Sequence, residues 1–255
     1  MINGYPIWVV LLISLGVFVA SFVDAIGGGG GIISVPVYLM AGLPTHFALG
    51  TNKLSSGVGT AASTVRYLMH GFVDWSLALP SVLLAVAGAY LGTTLQLLVD
   101  ERILKYVLLA VLPLAAVFLL RKKSLPETRG ELPLWKRRLF VWGSSFLIGT
   151  YDGFYGPGTG TFLLLAFCIL GKLDVRTASG NVKLVNFSSN MGALATSLMA
   201  GKVLIGVGAI AACFSIAGHY LGSGLAIRNG ARIVRPVILT VIGLLMLRVV
   251  VELLS

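Results

Sequence analysis

The sequence predicts an all-α polytopic membrane protein built from two inverted-topology repeats. Each repeat has about five hydrophobic segments, one of them a half-helix or re-entrant segment after a glycine-rich break. Three observations carry this prediction. The first is composition: of 255 residues, 57% are hydrophobic and 11% charged, with a mean hydropathy of +0.95. A soluble domain carries roughly a quarter charged residues, so this balance excludes a soluble enzyme, a disordered chain and a nucleic-acid-binding domain. The second is a run of ten hydrophobic segments, and the third is an internal repeat.

A helix needs about 20 apolar residues to cross the hydrocarbon core. The segments fall at 7–26, 30–42, 45–69, 74–98, 101–120, 139–153, 158–170, 176–199, 203–227 and 231–250. Those at 30–42 and 158–170 are too short to span alone, and each follows a glycine-rich break. The N-terminus is expected to be an uncleaved span, because its first basic residue is Lys53. Cys168 and Cys213 both lie in apolar runs and are expected to be small core residues.

The chain divides into a first repeat at 1–120, a basic linker at 121–138 and a second repeat at 139–255. The linker has seven basic and two acidic residues. The positive-inside rule therefore places it in the cytoplasm. Segment counting then puts 70–74, 171–176 and 227–231 on the same side, and both termini, 43–45, 99–101 and 200–202 outside. On that scheme 13 of the 19 basic residues lie inside and four outside, while Lys53 and Lys183 remain within spans. The net charge of +10 is thus mostly a topology signal.

Residues 48–120 align with 178–250 at a constant offset of 130, with 20 of 73 positions identical. Gly50, Lys53 and Leu54 match Gly180, Lys183 and Leu184, and Ala87–Gly92 matches Ala217–Gly222. At an offset of 128, Asp24, Gly28 and Gly30 match Asp152, Gly156 and Gly158. An odd number of segments per repeat makes the second copy enter from the opposite side, the pattern of many secondary transporters.

Lys53 and Lys183 each lie about 12 Å into their spans at 1.5 Å per residue. Charge at that depth is costly and functional by default, and two symmetry-related ammoniums suit an anion. Thr51, Asn52, Asn181 and Asn186 lie beside them as hydrogen-bond donors. The breaks supply Gly28, Gly29, Gly30 and Gly31 in one half, and Gly156 and Gly158 in the other. Glycine admits an oxyanion close to the backbone, and a helix N-terminus favours one. Close helix packing is the competing use of glycine, and it is preferred for Gly88, Gly92, Gly218 and Gly222. Asp24 and Asp152 have three readings: partners of the lysines, proton relays, or caps of the half-helices. Tyr151 and Tyr155 are cavity candidates or packing residues. Arg66 is expected to be a topology anchor and His219 a structural residue with no evident partner.

The stretch Asp24–Pro36, with Ala48–Leu54 and Ala87–Gly92, resembles the TauE/SafE family of membrane transporters, over about 8–250. The resemblance implies transport of sulfur-containing anions such as sulfite, sulfoacetate and related organosulfonates. Pro157 interrupts the second glycine break and departs from the symmetry of the first. The expected function is alternating-access transport of a small anion across the cytoplasmic membrane. An anion channel with the same site is the alternative. An intramembrane enzyme is disfavoured because no zinc, phosphate-loop or nucleophile-turn motif is present. The partners expected are the small anion and the lipid bilayer, with protons as a candidate co-substrate, and without nucleic acid, metal or cofactor.

Overall fold

A computed structural model describes residues 1–100, 126–240 and Gly243. These form α1 (Ile7–Gly27), α2 (Gly31–Met40), α3 (Thr45–Met69), α4 (Trp75–Leu98), α5 (Leu134–Phe154), α6 (Thr159–Ile169), α7 (Val175–Met199) and α8 (Ile205–Asn229). A further helix, α9, covers 231–240. The segment at 101–120, residues 121–125 of the linker and the rest of 231–250 lie outside the described residues. The described helices form an all-α membrane protein, in which α1, α4 and α8 are long and apolar enough to cross a bilayer.

The two short segments form helices of 10 and 11 residues. At 1.5 Å per residue each covers about half of the ~30 Å hydrocarbon core, as expected of half-helices. The helix expected from 139 begins at Leu134, inside the basic linker. Pro133 sets its start. The hydropathy signal begins later because Lys136, Arg137 and Arg138 fill its first turns. Arg137 is buried and donates to the carbonyls of Gly171 (2.9 Å) and Gly130 (2.7 Å).

The repeat is visible in the helix bounds. α3 and α7 are both 25 residues long, and their ends lie 130 positions apart. Packing follows the same exchange of halves. α1 lies on α8 as α5 lies on α4, α3 lies on α8 as α7 lies on α4, and α3 and α7 meet each other in the middle. The repeats therefore interlock, and each outer helix of one half is covered by the other half.

Glycine sets the closeness of these contacts. A Cβ added at Gly88 would come 2.5 Å from the Phe146 carbonyl oxygen, and one at Gly92 would overlap that of Thr150. In the matching interface a Cβ at Gly218 would come 2.5 Å from the Phe18 oxygen, and one at Gly222 would overlap that of Phe22. The expected packing role of these four glycines is what the structure shows. The outward faces carry Leu11, Leu12, Leu15, Leu79, Leu83, Leu147 and Leu221, all exposed, as a lipid-facing surface requires. Cys168 is buried, but Cys213 is exposed on α8, which corrects the expectation of two core cysteines. An apolar run in a membrane protein reads the same whether its residues face core or lipid.

Loops gather at two ends. At one end Arg129 pairs with Asp74 at 3.0 Å, Gly130 N donates to the Lys172 carbonyl and Val175 N to that of Pro126. The Arg176 guanidinium lies over Phe72. At the other end Tyr5 reaches the Gly42 carbonyl, Asn3 accepts from Val207 N and Lys202 lies over Phe47.

Overpacking a tight interface costs about 1–3 kcal/mol. Gly92→Ala is therefore expected to lower the unfolding midpoint of the detergent-solubilised protein by several degrees, while Gly143→Ala, a helix-interior glycine with open space, does not lower it. An added Cβ at Gly143 meets nothing within 4 Å. Equal midpoints for the two variants would refute the close α4–α5 contact.

Candidate functional site

The two buried lysines hold the centre of the molecule, each eight residues into its long helix. Lys53 is 5% exposed and Lys183 2%, so neither head group reaches water by snorkelling. An isolated ammonium at that depth is costly, and both are paired. Lys53 Nζ lies 2.8 Å from Asp152 Oδ1. Lys183 Nζ lies 3.4 Å from Asp24 Oδ2 and also donates to the Asp24 backbone carbonyl. The pairs are crossed, because each lysine takes its carboxylate from the opposite repeat.

The carboxylates have further partners. Asp24 Oδ1 accepts from Gly30 N at 3.0 Å, just before the first turn of α2, so this residue is both ion-pair partner and a tie to the first glycine break. Asp152 Oδ2 accepts from Ser189 Oγ at 2.7 Å. Of the three readings of the aspartates, pairing describes the contacts of both, and neither half-helix has a side-chain cap at its first turn.

The glycine breaks meet face to face. Thr161 Oγ1 donates to the Gly27 carbonyl at 2.9 Å, and a Cβ on Gly28 would overlap the Thr161 backbone nitrogen. Gly28 also has φ +79°, where L side chains are strained. Gly156, with φ +98°, lies so close to Lys53 that a Cβ would come 3.0 Å from Nζ. The N-termini of α2 and α6 thus adjoin one another beside the lysine pairs. The Tyr151 hydroxyl donates to the Pro157 carbonyl at 2.6 Å and fixes the second break.

A cavity of about 30 Å³ lies between these elements. One water needs ~10–15 Å³ by this measure, so the space suits two or three waters or a compact ion. Of the expected residues, Asp24, Gly29, Gly30, Gly31, Asn52, Lys53, Asp152, Gly156 and Asn186 line it. Lys183 stands behind Asp24. Thr51 instead accepts from Leu204 N at 3.0 Å, at the start of α8. Asn181 donates back to the Thr177 carbonyl within its own helix. Gly28 holds the crossing of the breaks, and Gly158 turns the chain into α6 with φ +89°.

The cavity is also lined by Ser21, Ser34, Ser56 and Asn190, which sequence reasoning passed over, by Thr159 and Gly160 of the second break, and by His219, which was expected to be structural. Helical spacing is a usable signal for two of them. Ser56 is four residues after Asn52 and donates to its Oδ1 at 3.3 Å. Asn190 is four residues after Asn186 and donates to its carbonyl at 2.8 Å. For His219 the correction concerns its partners, since none was evident in the sequence. It is 1% exposed, its Nε2 lies 3.8 Å from Asp24 Oδ2 and its Nδ1 lies 3.1 Å from Ser63 Oγ. Its partners come from α1 and α3, far away in sequence, which is why the linear pattern hid them. Arg66, expected as a topology anchor, donates to the Tyr220 carbonyl and lies 4.3 Å over the Tyr220 ring, tying α3 to α8.

Removing one partner of a buried pair strands the other charge, at about 3–5 kcal/mol, whereas removing both is far less costly. Lys53→Met should therefore lower thermal stability in detergent more than the double variant Lys53→Met/Asp152→Asn. Thermal melts of the two, with Lys183→Met and Lys183→Met/Asp24→Asn beside them, check the crossed assignment. A double variant less stable than its parent single would contradict it.

Comparison with known proteins agrees with the geometry. Residues 12–249 match the family model described as "Sulfite exporter TauE/SafE". "Probable membrane transporter protein ORF9" of Sinorhizobium sp is 37% identical over 227 residues, covering 88% of this chain and 85% of that protein. A "Probable membrane transporter protein" of Haemophilus influenzae is 36% identical over 222 residues, covering 87% and 86%. "Probable membrane transporter protein YfcA" of Escherichia coli K12 is 31% identical over 227 residues, covering 87% and 82%. No solved structure matches the chain. With nearly its whole length matched by one family model, this membrane transporter belongs to the sulfite exporter TauE/SafE family.

Proposed function

We propose that the protein is an alternating-access secondary carrier that moves a small sulfur-containing anion, sulfite or an organosulfonate, across the cytoplasmic membrane. The observation that carries this reading is the pair of crossed lysine–aspartate bridges around one small polar cavity. Each ammonium is already desolvated and held by a carboxylate on the opposite repeat. An incoming oxyanion can take the place of that carboxylate at an ammonium that is already desolvated. Exchange of partners at either bridge loosens the contact between halves, which couples binding to movement.

Other features support the anion. The N-termini of α2 and α6 present positive dipole ends beside the lysines. The Asn52 amide, whose oxygen accepts from Ser56, keeps its N–H groups as donors. The cavity volume favours a compact ion over a sugar or nucleotide. Sulfur rests on the family likeness. The exchange symmetry of the helix contacts supports two states of similar energy, open to opposite sides. In this reading the end carrying the 126–133 linker and the loops at 70–74 and 171–176 is cytoplasmic, and the N-terminal end lies outside.

Reconstitution into liposomes tests the proposal. Uptake of sulfite or isethionate should saturate and be accelerated by the same anion trapped inside. Lys53→Ala and Lys183→Ala should each cut the rate by at least about 100-fold, the scale expected when about 3 kcal/mol of site stabilisation is lost. Undiminished flux in either variant would remove that lysine from the site, and unitary currents would replace the carrier with a channel.

A further inference from the structure

The charge balance of the cavity points to its co-substrate. Lys53 and Lys183 carry two positive charges, and Asp152 and Asp24 two negative ones, all within the paired cluster. The empty site is therefore formally neutral. A monoanion entering it leaves one uncompensated negative charge in a low-dielectric interior, which costs several kcal/mol. A carrier site of this kind needs one further positive charge whenever it is loaded, and none when it is empty.

His219 is placed to supply it. The imidazole lines the cavity and is buried on every side. Ser63 Oγ donates to the Thr60 carbonyl at 2.9 Å. With its hydrogen spent there, Ser63 meets His219 Nδ1 at 3.1 Å as an acceptor. With the hydroxyl hydrogen placed there, the neutral ring takes the Nδ1–H tautomer and keeps its lone pair on Nε2. Nε2 faces Asp24 Oδ2 at 3.8 Å, beyond hydrogen-bonding distance. Space for the ring is built in: a Cβ at Gly59 on α3 would come 2.6 Å from His219 Cδ2.

The groups around the imidazole are few. α1 presents Asp24, α7 presents Lys183 behind it, and α3 presents Ser63 and, at the cavity, Lys53. Arg66 of α3 is committed to Tyr220, the next residue of α8. In the empty site an imidazolium would be the surplus charge; beside a bound monoanion it is the balancing one. Resting on the transport reading above, we propose that His219 Nε2 binds the proton that travels with each singly charged anion. The proton comes from the aqueous side to which the cavity is open. It forms an N–H bond aimed at Asp24, and it leaves with the anion on the other side. The protein thereby carries neither net charge nor net chemical change across the cycle, and a monoanion is moved as a neutral pair with H⁺.

Proteoliposomes containing the full chain test this with isethionate, and with sulfite at mildly acidic pH, where it too is singly charged. Trapped pyranine reads proton entry, and valinomycin with potassium sets the membrane potential. The wild type should take up one proton per anion, with anion accumulation indifferent to an inside-positive potential. His219→Asn, which keeps an amide donor for Ser63, should slow proton-driven uptake on the order of tenfold and make the residual accumulation follow the potential. Gel filtration and an anion-induced thermal shift report whether this variant folds and binds. If it misfolds, the wild-type ratio still decides, because potential-driven uptake without protons overturns the proposal. A one-to-one ratio that persists in folded His219→Asn also overturns it and returns the proton to Asp24 or Asp152. Absence of flux for both anions in the wild type overturns the transport reading itself.

Discussion

Two crossed ion pairs are the constraint on which the rest of the structure depends. A lysine buried a third of the way along a membrane helix is tolerated only with a partner, and here the partner always sits in the other repeat. Satisfying Lys53 therefore requires α5 to bring Asp152 against α3, and satisfying Lys183 requires α1 to bring Asp24 against α7. Neither half can meet this requirement by folding alone. The interlocking of outer helices, α1 on α8 and α4 on α5, is the arrangement that meets both at once.

That arrangement demands short distances, and the glycines supply them. At the α4–α5 and α1–α8 contacts the backbones touch across Gly88, Gly92, Gly218 and Gly222. At the centre Gly28 and Gly160 let the two breaks cross. Apolar association between helices is weak in lipid, where packing and hydrogen bonds replace the hydrophobic drive. Close backbone approach, with Thr93 Oγ1 on the Gly153 carbonyl (3.0 Å) and Ser21 on Ser215 (2.6 Å), is how such helices hold together. The same close packing leaves only a small space between the breaks, and so limits the size of anything that enters.

Much of this was legible in the sequence, because membrane constraints act locally. Hydropathy located the described helices, glycine runs located the breaks, and the constant offset of 130 exposed the repeat together with its paired lysines. What stayed hidden depends on contacts between distant segments. Lys53 and Asp152 are matched to Lys183 and Asp24 by alignment, yet nothing linear says that the bridges cross instead of closing within each half. Thr51 and Asn181 stand beside the lysines in sequence, but helical rotation turns them away, to Leu204 N and to the Thr177 carbonyl. His219 showed itself only as a mismatch, histidine where the first repeat has Ala89.

That mismatch shows how a symmetric frame carries an asymmetric task. A perfect inverted repeat makes its two open states mirror images, equal in energy and identical in chemistry. The frame here keeps the equivalence where the proposed carrier would use it, in helix bounds, glycine contacts and the two lysine–aspartate bridges. It abandons the equivalence around the carboxylates. Asp152 is served by the hydroxyl of Ser189, a group that does not ionise at neutral pH, whereas Asp24 is faced by the titratable ring of His219 with Ser63 behind it. The residues aligned with Ser189, His219 and Ser63 are Gly59, Ala89 and Ala193, which carry no polar side chain. Each bridge therefore answers differently to the same anion. One bridge can only change partners, while the other can also change charge. In the proposed carrier this confines proton chemistry to one half and leaves the other half as an unchanging counterweight, so a single proton site is enough for a molecule with two equivalent gates.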